Sequence, residues 1–215
     1  MRRLNVSLDT LDRDRFWQLA RRDALAAVLA GIDTARAAGF ERIKVNAVTL
    51  RGVNDVDIVP LARYARDRGL EMRYIEYMPI GGEAWERDKV VFAHEILEAI
   101  DREVGPLAPA DDYDPRAPAM DFRYADGGGR VGIIAPVSRP FCRRCNRLRL
   151  TAEGKLRNCL FALDELDARP LLRPATDDAA LTAMIRQSVA AKGEGHEINS
   201  ARFVKPERTM HAIGG

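Results

Sequence analysis

Apolar and polar residues alternate over the first ten positions, with Leu4, Val6 and Leu8 on one side and Asn5, Ser7 and Asp9 on the other, the period of two that a strand requires. The period then lengthens. Leu25, Val28, Leu29 and Ile32 recur at helical spacing, with Gly39 placed as a C-terminal stop. Residues 42–50 (RIKVNAVTL) are rich in β-branched side chains and predict a second strand. Asn54 or Asp55 is positioned to cap a helix that runs to Arg68 and stops at Gly69, and residues 71–80 (EMRYIEYMPI) predict a third strand. Strand, helix, strand, helix, strand with short connections predicts parallel strands joined by right-handed crossovers, an α/β fold.

One sheet face is polar in this pattern. Asn5, Ser7 and Asp9, then Lys44 and Asn46, then Tyr74, Glu76 and Met78 recur at every second position on the three strands. In a curved parallel sheet such a face looks into a cavity near the C-terminal strand ends, and the alternative is a half-exposed sheet. Three βα units cannot close a barrel, so the pattern predicts an open half-barrel or a chain lacking its N-terminal portion. Beyond Ile80 the pattern predicts a helix over residues 91–104, a Pro-, Asp- and Ala-rich linker over 108–119, and a hairpin around Asp126-Gly127-Gly128-Gly129. A second hairpin is predicted around Glu153-Gly154, and an amphipathic helix over residues 177–192. The division is placed at residue 105, with a βα region over 1–105 and a small α+β region over 106–215.

Composition changes the picture only locally. With 34 basic and 32 acidic residues and 47% hydrophobic content, the chain reads as globular, and its net charge of +2 argues for neither nucleic acid nor an anionic membrane. No apolar run is long enough to cross a membrane, and no signal-peptide core follows Met1-Arg2-Arg3. An odd cysteine count without such a signal predicts a reducing, cytoplasmic setting. Between Arg139 and Arg157, however, six Arg and one Lys face the single acid Glu153.

That basic stretch surrounds all 3 cysteines of the chain, Cys142, Cys145 and Cys159, spaced C-x2-C-x13-C. A hairpin would return Cys159 towards the other two. Three ligands leave one coordination position for something else, and the spacing by itself admits zinc or an iron-sulfur cluster. His94, His196 and His211 are not at ligand spacing from the cysteines, and His196 receives no role. Thiolates alone do not need so much positive charge, and Arg147 and Arg149, two apart on a strand, would face one way and could grip a polyphosphate. A solvated basic strand is the bland alternative. Glu76 is expected to be a hydrogen-bonding partner more than a general base, and Trp17 and Trp85 are expected to pack.

Asn5-Val6-Ser7-Leu8-Asp9, Ile43-Lys44-Val45-Asn46, Glu76-Tyr77-Met78-Pro79, the segment from Cys142 to Thr151, Cys159 and terminal Gly214-Gly215 together resemble the GTP 3′,8-cyclase family of molybdenum cofactor biosynthesis, which are radical S-adenosylmethionine enzymes. The resemblance runs from about Asn5 to Gly215. It implies a partial, N-terminally truncated TIM-like (βα) barrel followed by a C-terminal region with an iron-sulfur site. It implies that Cys142, Cys145 and Cys159 hold a [4Fe-4S] cluster that meets the substrate. Lys44, Arg147, Leu148 and Arg149 would bind GTP, Ser7 and Met78 would line the S-adenosylmethionine site, and Gly214 and Gly215 would reach into the active site. The implied reaction is a lyase step that joins a ribose carbon of GTP to C8 of guanine, on the way to cyclic pyranopterin monophosphate.

The chain departs from the family in one respect. The C-x3-C-x2-C motif that holds the radical-generating [4Fe-4S] cluster is absent, so this polypeptide is expected to be incomplete and inactive alone. GTP and S-adenosylmethionine are the expected partners, without nucleic acid or membrane, and a homodimer is left open. The competing reading is a zinc-stabilised basic domain that binds nucleic acid.

Overall fold

The computed structural model describes residues 2–81, 85–112, 114 and 116–213. The chain falls into two compact units: Met1–Tyr77 with Arg87–Arg139, and Met78–Glu86 with Pro140–Gly215. The division expected at residue 105 falls inside the first unit, because the strands that follow it add to the first unit's sheet.

That sheet has six strands: β1 (Arg3–Ser7), β2 (Arg42–Thr49), β3 (Glu71–Glu76), β4 (Leu107–Pro109), β5 (Ala119–Tyr124) and β6 (Arg130–Ile134). Their order is β1-β2-β3-β6-β5-β4. β1, β2, β3 and β6 pair in parallel, and β5 and β4 close the far edge antiparallel. The fold is α/β. Part of the expected linker thus forms β4 and the start of β5.

The helices are α1 (Arg13–Ala20), α2 (Leu25–Ala37), α3 (Ile58–Asp67) and α4 (Ala93–Glu103). α1 stops short of α2 because Arg21 turns left-handed, at φ 56°, and sends its N–H back to the Trp17 carbonyl. Trp17 itself is 53% exposed and does not pack as expected. α3 buries Ile58, Leu61, Ala62 and Ala65, and α4 buries Ala93, Ile96 and Ile100, the one-sided stripes that cover a sheet. Asn54 does not cap α3. Its side chain accepts the Leu50 N–H at 2.8 Å and donates to the Asp9 and Val48 carbonyls at 2.9 Å each, tying together the C-terminal ends of β1 and β2.

Register corrects the face assigned to β3. Ala47 pairs with Tyr74 and Thr49 with Glu76, so both lie on the face of Val45 and Ala47, which is buried. Tyr74 is fully buried and donates its hydroxyl to the Ile58 carbonyl of α3 at 2.6 Å. The polar face is made instead by Asn5 and Ser7 on β1, Lys44 and Asn46 on β2, and Glu71 and Arg73 on β3.

Glu76 is fully buried without a charged partner among its hydrogen bonds. One oxygen accepts the Ala93 N–H at the start of α4 and the Ser138 hydroxyl; the other accepts the N–H groups of Val137 and Ser138 at 2.9 Å each. Backbone dipoles, including the α4 N-terminus, stabilise this carboxylate. It therefore acts as a staple between β3, α4 and the chain leaving β6.

The second unit contains a three-stranded antiparallel sheet of β7 (Arg149–Leu150), β8 (Lys155–Arg157) and β9 (Leu166–Asp167), with helices α5 (Arg169–Leu172) and α6 (Asp178–Ala190). The β7–β8 turn is the one predicted. Thr151 N–H bonds the Lys155 carbonyl, Gly154 N–H bonds the Thr151 carbonyl, and Gly154 sits at φ 76°, where glycine is favoured.

Candidate functional site

Cys142–Arg144 form one tight 3-10 turn, closed by the Arg144 N–H on the Phe141 carbonyl and the Cys145 N–H on the Cys142 carbonyl, both at 3.1 Å. A single turn is what two cysteines two residues apart need in order to face one centre. Arg149 pairs with Arg157 across the hairpin, so the return strand delivers Cys159 alongside the segment that leads out of Cys145. All three thiols are half-buried.

Their electrostatics link them. Burial pushes the Cys142 thiol up, Cys159 and Cys145 push it further, and a backbone N–H from His196 to its sulfur opposes them. Cys145 goes the other way. Burial would raise it, but the backbone N–H and side chain of Arg147, together with the charges of Arg147 and Lys192, hold it below the ordinary thiol value. The thiols are close enough to feel one another's charge, yet among the described residues no group of three or more His, Cys, Asp or Glu side chains is arranged to hold a single metal ion. A closed zinc site would need sulfurs about 3.8 Å apart around one ion.

Arg147 precedes the strand and does not share its alternation. Its guanidinium lies 4.7 Å from the Phe141 ring centroid, and its Nε donates to the Cys145 sulfur at 3.5 Å. Arg149 is half-buried; burial and the charges of Arg147 and Arg157 disfavour its protonated form, while Cys159 and Cys145 favour it. Leu148 lies between them, 36% exposed. Arg157 has a different task. It is 2% exposed, pairs with Glu165, and donates to the Leu160 and Ala162 carbonyls just beyond Cys159. Lys155 and Arg208 converge on the same Glu165, so much of the hairpin's positive charge is bound internally, which weakens the case for a continuous nucleic-acid surface.

Two further side chains hold the cysteine end of the hairpin. Lys192, two residues past α6, donates to the Arg147 carbonyl at 2.6 Å and the Asn158 carbonyl at 2.8 Å, bridging the outgoing and returning segments. Asn158 donates in turn to the Ser188 carbonyl of α6 at 3.2 Å. Nothing periodic marks Lys192 in the sequence, because its partners lie 45 and 34 residues away.

The remaining predicted site residues lie apart in the chain. Ser7 and Lys44 are on the polar face of the first unit's sheet, Ser7 paired with Asn46 and Lys44 with Asn5 and Glu71. The Lys44 ammonium is 3.5 Å from Glu71, and burial followed by the charge of Arg73 lowers its pKa. Met78 belongs to the second unit, and its carbonyl accepts the Ile80 N–H at 2.9 Å. Gly214 and Gly215 lie outside the described residues.

The model of the family described as Molybdenum Cofactor Synthesis C matches residues 70–198, which includes the cysteine turn, the hairpin and α6. The chain belongs to this family. It is similar along its whole length to proteins named GTP 3′,8-cyclase. It is 44% identical over 218 residues to one from Rhodopirellula baltica and 45% identical over 219 residues to one from Corynebacterium glutamicum. It is also 45% identical over 220 residues to GTP 3′,8-cyclase 2 of Mycobacterium tuberculosis. These alignments cover 99–100% of the chain and 58–61% of the relatives, so the chain spans about 60% of the length of the curated relatives it matches. No helix among the described residues is long and apolar enough to cross a membrane.

Proposed function

We propose that the chain supplies the GTP-binding portion of a GTP 3′,8-cyclase. In this reading the first unit is part of a TIM-like (βα) barrel, and Cys142, Cys145 and Cys159 hold a [4Fe-4S] cluster. The donor set fits such a group. Two cysteines share one tight turn, the hairpin returns a third alongside them, and the Arg147 Nε already donates to the Cys145 sulfur, the kind of hydrogen bond that tunes an iron-sulfur cluster. When bound, the cluster would supply an iron with an open position for the guanine base.

The chain's own residues then divide the work. Arg147 and Arg149 offer planar guanidinium donors to the triphosphate, Leu148 packs against the nucleotide, and Lys44 contributes a further cation. Ser7 and Met78 take S-adenosylmethionine, and Gly214 and Gly215 are assigned to the catalytic step on the resemblance alone. In this reading all 3 cysteines of the chain serve one cluster, which leaves no thiol here for a second. What supports the reading is the hairpin register that returns Cys159 alongside the segment leading out of Cys145, with the Arg147 guanidinium on the Cys145 sulfur and Arg149 on the adjoining strand.

Anaerobic reconstitution with iron and sulfide should load about four irons per chain and give a broad charge-transfer absorption. A colourless chain holding one zinc would refute the cluster. Arg147→Ala and Arg149→Ala should each weaken GTP binding about tenfold, the equivalent of one charge-assisted hydrogen bond, with iron content unchanged. Equal GTP affinity in both variants, or a preference for single-stranded oligonucleotide over GTP in a salt titration, would refute the assignment.

A further inference from the structure

Asp9 stands just beyond the C-terminal end of β1, and the function proposed above gives it no task. Ser7, the last residue of β1, pairs with Asn46, and the Leu8 N–H still reaches the Asn46 carbonyl at 2.9 Å. There the ladder passes from backbone to side chain. The Val48 N–H of β2 goes to the Asp9 carboxylate at 2.8 Å, which takes the place of a strand carbonyl. The backbone of Asp9 is held as well: its own carbonyl accepts the Asn54 amide at 2.9 Å, and Thr10 after it is fully buried.

This carboxylate is half-buried and unanswered by any cation. Among the described residues its side chain takes one hydrogen bond, from a neutral N–H to one oxygen, and makes no ion pair. Other acids of the first unit are paired: Asp57 with Arg15 at 2.7 Å, Glu71 with Lys44 at 3.5 Å and Glu95 with Arg51 at 2.8 Å. Glu76 lacks a cation too, but four donors surround it. Burial raises the Asp9 pKa against the smaller, opposite effect of the Val48 N–H. The C-terminal ends of parallel strands are also where α/β sheets take their ligands.

We propose that Asp9 is a binding residue that answers a positive charge of S-adenosylmethionine at the C-terminal end of β1, two residues from Ser7. The inference rests on the S-adenosylmethionine reading above. A half-buried carboxylate without a cation gains more from an incoming one than a paired or exposed carboxylate does. GTP brings only negative charge and gains nothing from it. S-adenosylmethionine brings two cationic centres, its sulfonium sulfur and its ammonium nitrogen.

Asp9→Asn removes the charge and keeps an oxygen for the Val48 N–H; Asp9→Ala removes both. The Val48 amide should exchange at the wild-type rate in Asp9→Asn and about tenfold faster in Asp9→Ala, the equivalent of one lost hydrogen bond. Equilibrium binding to the chain is then compared for S-adenosylmethionine, for S-adenosylhomocysteine, which lacks the sulfonium, and for 5′-methylthioadenosine, which lacks both charges. Asp9→Asn should weaken S-adenosylmethionine about tenfold, the scale of one partly screened charge pair, and leave 5′-methylthioadenosine unchanged. S-adenosylhomocysteine then assigns the centre: unchanged affinity means that Asp9 answers the sulfonium, and an equal loss means that it answers the ammonium. A loss shared by all three ligands would show that Asp9 only shapes the strand end and would overturn the proposal, as would unchanged binding of all three. A wild-type chain that binds none of them defeats the S-adenosylmethionine reading itself, and the proposal with it.

Discussion

Glu76→Gln tests whether the buried carboxylate is a staple or a base. The native group accepts four hydrogen bonds, from Ala93 N–H, Val137 N–H, Ser138 N–H and the Ser138 hydroxyl. A glutamine has one acceptor oxygen and one donor NH2. If its oxygen keeps Val137 and Ser138, the NH2 faces Ala93 N–H and the Ser138 hydroxyl. The hydroxyl can rotate and accept, but the Ala93 N–H cannot, and it is left buried against another donor. Losing that bond and the charge that strengthened the others comes to about 3 kcal/mol, and Glu76→Ala, which orphans three backbone donors, to about 5 kcal/mol. Urea unfolding gives the total. Hydrogen exchange at Ala93, Val137 and Ser138 localises it. A Glu76→Gln chain within about 0.5 kcal/mol of wild type, with those three amides still protected, would refute the staple; loss of turnover alone in the assembled enzyme would then favour a base.

Three other outcomes follow from the second unit. Lys192→Met removes two donors from a partly exposed ammonium and should lower the local opening energy of the β7–β8 hairpin by about 1–2 kcal/mol, read as faster exchange of the Thr151 amide. Gly154→Ala should cost about 1–2 kcal/mol, because φ is 76° and the new Cβ would stand 2.7 Å from the Arg169 Cγ. In an Arg169→Ala background only the backbone part should remain. Glu165 supplies the pH dependence: burial alone would raise its carboxyl, but hydrogen bonds from Arg157 and Arg208 hold it below the ordinary glutamate value. A depressed carboxyl stabilises the fold above its unfolded pKa, and this stability is lost as pH falls through the folded value. Hairpin protection should thus decline below about pH 4.5 in wild type and change little with pH in Glu165→Gln.

Alternation made the strands of the first unit legible, and the Glu153-Gly154 turn made the cysteine hairpin legible, since both are local properties of the chain. What alternation cannot supply is which of the two faces is inside. Tyr74 and Glu76 looked like a polar lining by residue type, yet each satisfies its polar atoms on backbone that only the tertiary fold brings near: the Ile58 carbonyl for one, the N–H groups of residues 93, 137 and 138 for the other. Asn54 misled in the same way. A residue that caps helices locally found better partners at two strand ends. Arg147 shows a subtler limit. Its spacing from Arg149 implies a shared direction only within a strand, and β7 begins two residues too late for that.

The charges of the basic segment around the cysteines are not equivalent. Glu165 collects Lys155, Arg157 and Arg208, and Lys192 is held by two carbonyls. Arg149 is placed differently. It is half-buried, and burial and the like charges of Arg147 and Arg157 oppose its own charge while Cys159 and Cys145 favour it. A half-buried cation flanked by like charges gains more from an incoming anion than an exposed one does, because the anion relieves repulsion and is less screened by solvent. A polyphosphate drawn to this segment should therefore bind more strongly through Arg149 than through exposed Arg143, although both carry the same formal charge. Arg143→Ala is accordingly expected to leave GTP affinity within about twofold of wild type, as solvent-screened charges do, and a loss equal to that of Arg149→Ala would mean that net charge, not placement, draws the nucleotide.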